Sequence, residues 1–475
     1  MREINVITLS VLTEAEIEAI HASTLRILDE TGVVLTHSGG REMLAAAGAA
    51  IEGDRVLLPP NLVESAVARS TGIVHLQGRQ GATLVLGNGS LHWHNLGGAR
   101  DIYDPLSGRR RKALLQDLRD STRLMDALDQ VTNITPLFTP QDVPGPVMSL
   151  AMYRHALPYT TKVLQGPGVH TAVEVRYAAR LAAVVGAPEK VLSLSVSPVS
   201  PLSFPDHVVA AILETARLKI TFSPLPCPTA GATAPFSIAG ALAQQNAEVL
   251  AAVVLAQLVQ PGLPIVYCGR MAMMEPRTGH SVWGGVELGL ASAATAQIGH
   301  RYKLPVNVYG FSSNAHTLDI QSGFERALNA ALPALAGADE LSGIGEMKAG
   351  VMSSFAQIVC DNELAASVQR LRRGFAADED ARAVEVIAAA MRGSRNYLGQ
   401  KHTSRYLRAG EVYITRLAER GSWESWEEGG RRGQAERAQA EAECLLREHQ
   451  VPPLTEDQER ELDAILEEAI RMLGE

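Results

Sequence analysis

A short apolar run, a small polar loop and a long alanine- and leucine-rich stretch recur down the middle of the chain. The runs are Thr161–Gly166, Val191–Val196, Ile220–Pro224, Pro264–Gly269, Val306–Gly310 and Gln357–Asp361. Strands that alternate with helices make a parallel sheet, because parallel neighbours need a crossover connection. Val131–Phe138 precedes these runs and Asp339–Ile344 falls between the last two, which brings the count to eight. Eight such strands predict an α/β fold closed as a (β/α)8 TIM-type barrel. Its site would lie at the carboxyl ends of the strands, where the polar residues gather.

The flanks read differently. Thr13 and Glu16 form a capping-box pattern that opens a helix to about Glu30. Pro60 suits the first turn of another. From Ile73 to Asp104 the pattern is that of a small antiparallel sheet built from 74–77, 83–86 and 90–94. The charged tail ends in a helix, Glu456–Leu473, with Leu462, Ile465, Ile470 and Leu473 at helical spacing. That face is a candidate surface for a homo-oligomer. The division is therefore 1–130, N-terminal helices and small sheet; 131–375, barrel core; 376–475, C-terminal helical extension.

With 43 basic against 52 acidic residues the net charge is −9, which argues against nucleic acid or an anionic membrane as partner. The four cysteines are far apart and form no CxxC pair, so a reducing cytoplasm is the expected setting. Met1–Val6 has no apolar stretch of leader length, and no window of about 18 uninterrupted apolar residues predicts a membrane helix.

Four groups of residues carry possible chemistry. His92 and His94 share one face of a strand and could hold a metal, or simply occupy a polar sheet face. Later strand ends offer Lys162, His316 and Asp361 but no further histidine pair. The loop Pro224–Pro235 has four prolines and otherwise mostly small residues, which let a large group approach the backbone or make a stiff connection. Phe138, Phe222, Tyr267, Trp283, Tyr309 and Phe311 lie at or beyond strand ends, with Gln141 near the first. Such aromatics either pack the core or ring a quaternary ammonium, with Glu275, Asp319, Glu346 or Asp361 supplying negative charge. Finally, Gly310–Gln321 presents Asn314, His316 and Asp319, which either meet a substrate or cap the next helix.

Several segments together resemble the trimethylamine methyltransferase (MttB-like) superfamily. They are Ile20–Leu28 with Thr31–Val33, Asp54–Pro59, Thr229–Pro235, Ala334–Ala338, Gln357–Glu363 and His402–Arg405, in that order over nearly the whole chain. Founding members of the family carry pyrrolysine in the barrel cavity, whereas this sequence shows only standard residues. The resemblance places that position near 314–317, with His316 as its counterpart. It implies a methyltransferase that moves a methyl group from a quaternary or methylated amine, glycine-betaine-like, to the Co(I) of a corrinoid (cobalamin) carried by a partner protein.

The implied roles are catalytic for His316, Asn314 and Asp319. They are substrate-binding for Phe138, Gln141, Phe222, Tyr267, Tyr309, Phe311 and Glu346. They are cofactor-facing for Thr229, Gly231, Ala232 and Thr233, with no metal. Two alternatives stand beside this reading: a metal-dependent barrel hydrolase or lyase using His92 and His94, and a catalytically silent binding subunit.

Overall fold

The computed structural model describes residues 7–473; the Met1–Val6 stretch considered above lies outside them. Eight short strands run parallel to their neighbours: β1 His92–Asn95, β2 Asn133–Ile134, β3 Val163–Leu164, β4 Ser193–Val196, β5 Thr221–Pro224, β6 Tyr267–Cys268, β7 Val306–Tyr309 and β8 Glu340–Ile344. β2 pairs with β3, β4 with β5 over four residues, β6 with β7, and β7 with β8. β8 pairs in turn with β1, setting Glu340 opposite His92. Thinner links join the remaining neighbours. These are the Trp93–Val131 and Phe222–Ile265 bridges and a 2.9 Å hydrogen bond from Gly166 N–H to the Ser193 carbonyl.

The segment assigned to the eighth strand is a helix instead. Gln357–Asp361 falls inside the helix Phe355–Arg373, and its place beside β8 is taken by His92–Asn95. So short an apolar run, Ile358–Cys360, cannot by itself distinguish a strand from one side of a buried helix. The antiparallel pair Val74–Gln77 with Thr83–Leu86 forms as expected, but 92–95 does not join it. Instead the hairpin touches β1 through His92, whose Nε2 lies 3.1 Å from the Val85 carbonyl. The parallel core thus begins within the 1–130 segment rather than at 131.

The helices that matter to the site are α1 Glu14–Arg26, α2 Met148–Ala156, α3 Ala172–Ala183, α4 Asp206–Arg217, α5 Ile238–Val259, α6 Val286–Arg301, α7 Ile320–Leu335, α8 Phe355–Arg373 and α9 Glu456–Leu473. The Thr13 capping box opens α1, with Thr13 N–H donating to Glu16 at 2.8 Å. By length and composition α5 could cross a membrane, but here it is a core helix lying against α1 and α4. Its polar residues are matched. Asn246 donates to Thr24 and Tyr302, and accepts from the Tyr267 hydroxyl. Such pairing is what lets amides sit in an apolar layer.

The tail helix α9 does not keep its apolar face free for a dimer. Leu462, Ile465, Leu466 and Ala469 are buried against α2 and α3 of the same chain, and only the end of the stripe, at Ile470, is exposed. Arg154 of α2, itself buried, fixes the contact through Asp463 at 2.8 Å and Glu459 at 2.6 Å. One apolar core runs from Ile20 to Ala469.

Candidate active site

A cavity of about 410 Å³ opens at the carboxyl ends of the strands. Its polar wall comes from the strands and the residues just past them: His94 from β1, Gln165 just beyond β3, Ser193 from β4, Asn307 from β7 and Arg270 just beyond β6, joined by His170 and Glu174 at the start of α3. Met148 and Met152, both on α2, and Leu96 and Leu225 give the apolar part. Gly98, Gly145 and Gly168 contribute bare backbone, and a Cβ on any of the three would meet nothing within 4 Å.

Beneath the cavity lies a connected polar network. Both oxygens of the buried Glu340 carboxylate accept from amides: Asn133 at 2.6 Å and Gln165 at 2.9 Å on one, Asn307 at 2.6 Å on the other. Burial raises the Glu340 pKa, while the donors from Asn307 and Asn133 hold it down. Asn307 accepts from Arg270 at 2.8 Å through Oδ1. A guanidinium only donates and a carboxylate only accepts, so the Asn307 amide has one possible orientation. Its Nδ2, 2.9 Å from His94 Nε2, must then donate to that nitrogen. Burial, reinforced by Arg270, lowers the His94 pKa to about 3, so the ring is neutral. Its proton therefore sits on Nδ1, which has no protein partner.

Arg270 is 4% exposed. It donates to Ser342 as well as Asn307 and lies over the Tyr309 ring, 4.6 Å from its centroid. Among the described residues no carboxylate forms an ion pair with it, and its Nε–H is unpartnered.

The residues singled out in the sequence divide sharply. Tyr309 and Glu346 come close to Arg270. Tyr309 lies under its guanidinium, and Glu346 is buried nearby with one oxygen accepting from Ser312 at 3.1 Å and the other unpartnered. Burial pushes the Glu346 pKa up to about 7. The other aromatics are core. Phe138 packs edge-on against Phe355, Phe311 against Trp93, and Tyr267 stacks on Tyr302 between β6 and the helices outside it, while Phe222 is wholly buried. None of these four lines the cavity; each is wholly buried in the core instead. Gln141 is exposed and donates to the Thr139 carbonyl.

The loop after β7 is a piece of scaffolding. Asn314 Oδ1 accepts from Trp283 and Gly284 N–H groups at 2.6 and 2.7 Å, Asp319 caps α7 through Ser322 N–H at 3.0 Å, and His316 is exposed. None of the three reaches the cavity wall. Thr229–Thr233 likewise closes on itself: Ala232 and Thr233 N–H groups donate to the Thr229 carbonyl, and Thr233 Oγ1 accepts from Thr229 N–H. Gly231 is required there, at φ +91° with a Cβ position 2.5 Å from the Phe236 ring. Asp361 pairs with Arg326 at 2.8 Å, both buried. Arg326 also ties down the carbonyls of Phe311 and Glu346. Among the described residues no three His, Cys, Asp or Glu side chains converge to hold a metal, so His92 and His94 gain no third ligand.

Sequence reasoning missed Arg270, Asn307, Gln165, Asn133 and Glu340. For the last four the available signal was a polar residue within or at the end of an apolar run, since such residues are buried only when paired; Arg270 carried no such signal.

Against known proteins, residues 2–471 match the family model described as trimethylamine methyltransferase (MTTB). The chain belongs to this family. The trimethylamine methyltransferase MttB of Desulfitobacterium hafniense (strain DSM 10664 / DCB-2) is 30% identical over 465 residues, covering 96% of this chain and 93% of that one. The glycine betaine methyltransferase of D. hafniense (strain Y51) is 28% identical, covering 98% of both chains. Among solved structures, the monomethylamine methyltransferase of Methanosarcina barkeri superposes with a TM-score of 0.51 at 12% identity, over 97% of this chain and 92% of that one. The α/β fold is shared with that enzyme, and the chain is a methyltransferase.

Proposed function

We propose that this protein transfers a methyl group from a quaternary or methylated amine, glycine-betaine-like, to a corrinoid carried by a partner protein. Its eight parallel strands are read as a (β/α)8 barrel beginning at His92, with 376–475 as a helical extension. The observation that carries the chemistry is the apolar wall of Met148, Met152, Leu96 and Leu225, beside carboxylates in and beneath the cavity that are already engaged. Glu340 accepts from three amides, His94 is neutral with Nε2 engaged, and Glu174 accepts from Ser149 and from the N–H groups of His170 and Thr171. General acid–base catalysis needs a group free to exchange its proton, and in this wall that role would fall to the rings of His170 and His94.

A quaternary amine makes no such demand. The N–CH3 bond breaks with its electron pair staying on nitrogen, and a neutral tertiary amine leaves. A corrinoid supplies the nucleophilic Co(I) that accepts the methyl group. This chain's residues orient the amine and keep water out: Met148, Met152, Leu96 and Leu225 form an apolar wall for the methyl groups. The rim fits a wide, flat group, because Gly98, Gly145 and Gly168 place no side chain above it. The exposed Gly231–Ala232 turn, after β5, belongs to the same face and is assigned to the partner's approach. Four free cysteines agree with a cytoplasmic setting.

The test is to incubate the protein with a reduced corrinoid protein and a panel of methylated amines and betaines, and to measure the demethylated amine by mass spectrometry. No product from any of them would favour a silent binding subunit. Stoichiometric zinc or iron lost on replacing His92 and His94 would favour the hydrolase reading.

A further inference from the structure

The outer face of α7 carries no free charge. Its sequence holds only two charged residues, Glu325 and Arg326. Arg326 is buried against Asp361, and Glu325 accepts from Ser313 at 2.7 Å and from the Asn314 N–H at 3.0 Å. By contrast α3 exposes Arg176 and Arg180, and α4 exposes Asp206 and Arg217. What α7 shows to solvent is a row of Ile320, Phe324 and Leu328, with Ile320 88% and Phe324 55% exposed. A row of small residues, Gly323, Ala327 and Ala331, runs beside it. Val286 and Leu290 extend the patch onto α6. That helix packs directly on α7, since a Cβ on Gly289 would come within 2.9 Å of Asn329 and Leu332. The chain's own N-terminal segment covers only the far ends of the two helices. There Leu9 N–H donates to the Leu335 carbonyl, and Gln297 accepts from the N–H groups of Val11 and Leu12.

A contiguous apolar face of this kind marks an interaction site. Its shape, size and charge indicate what covers it. A ridge of large side chains at four-residue spacing beside a groove of small ones is self-complementary. Under a two-fold axis the ridge of each helix enters the groove of the other, at a crossing of about −50°. The five large side chains expose on the order of 500 Å² of apolar surface, and a standard interface buries about 800 Å² per partner, about 65% of it apolar in homodimers. The two amounts agree. Each copy carries a net charge of −9, so two copies meet with least added repulsion where the surface has no charge. We infer that a second copy of this chain docks here, α7 against α7, in a two-fold pair. This replaces the tail helix as the self-association surface, and the pairing does not depend on the reaction proposed above.

Sedimentation velocity of the full chain at micromolar concentration tests it. The unaltered protein should form an assembly of at least twice the mass of one chain. Phe324→Arg should halve that mass and raise the dissociation constant by at least about thirtyfold, as loss of a central aromatic anchor does. Phe375→Arg changes an aromatic just past α8 that is also exposed, and should leave the mass unchanged. That comparison separates this face from exposed apolar surface in general. Should Phe324→Arg fail to fold by circular dichroism, Ile320→Asp, at the most exposed position of the patch, takes its place. A single-chain mass for the unaltered protein overturns the inference and means that a different protein covers the face. An assembly that Phe324→Arg and Ile320→Asp leave intact, or that only Phe375→Arg breaks, overturns it equally.

Discussion

Two buried arginines sit on neighbouring parts of this molecule in opposite circumstances. Arg326, on α7, meets Asp361 of α8 at 2.8 Å, the Phe311 carbonyl at 2.6 Å and the Ser322 hydroxyl at 3.0 Å. Arg270, beyond β6, has Ser342, Asn307 and a tyrosine face, with Glu346 nearby but, among the described residues, no carboxylate at ion-pair distance. The first is a clamp that pins the loops after β7 and β8 to two helices. The second is equally buried and feels its nearest carboxylates, Glu346 and Glu340, only at a distance. Depth of burial therefore does not separate structural from functional charge; completeness of pairing does.

The contrast makes a ranked set of predictions. Arg326→Met strands the Asp361 carboxylate in the core and should cost about 3–5 kcal/mol, seen as a large fall in thermal midpoint by circular dichroism. A variant as stable as the parent would mean the clamp is ornamental. Next comes Glu346, whose pKa is raised from 4.5 to about 7 by burial. The unfolded chain gives up this proton first as pH rises, so stability is lost between about pH 4.5 and 7. Glu346→Gln should remove that slope and leave the variant more stable than wild type by up to roughly 3 kcal/mol above pH 7. Parallel pH profiles of the two midpoints would refute it.

Glu340→Gln replaces an acceptor of three amide bonds by a group that must donate with half its polar atoms. About 1–3 kcal/mol should be lost on urea titration. The smallest effect is the most telling. In Arg270→Met, the relief of an unpaired buried charge is offset by lost bonds to Asn307 and Ser342, so stability should change by less than about 1 kcal/mol. A loss as large as that of Arg326→Met would erase the distinction between the two arginines.

The repeating strand–helix beat was legible in the sequence because parallel strands buried on both faces read as short apolar runs. The same criterion misled at Gln357–Asp361, where an apolar run is one side of α8, and hid β1, whose His-Trp-His alternation looks like a solvent-facing strand. The site was less legible. Aromatics at strand ends drew attention, yet Phe138, Phe222, Tyr267 and Phe311 face away from the cavity; only Tyr309 stands beside it. Which way an end residue points depends on register, and one residue of slip reverses it. His316 and Asp319 owed their prominence to a loop that holds α7. Arg270 follows Tyr267-Cys-Gly269 with no local motif, and its meaning comes from Asn307 and Ser342, distant in sequence.

The apolar wall of the cavity depends on a late-made part of the chain. Helix α2 carries Met148 and Met152, and its Arg154 is locked by Asp463, 309 positions further along. At ribosomal speeds of about 5–20 residues per second, that partner emerges roughly 15 to 60 seconds after α2. Until then α2 lacks its backing, and the side later covered by Leu462 and Leu466 lies open. Substrate recognition is thus among the last properties a nascent chain acquires, and growing polypeptides offer chaperones this surface long before they offer an amine a binding place.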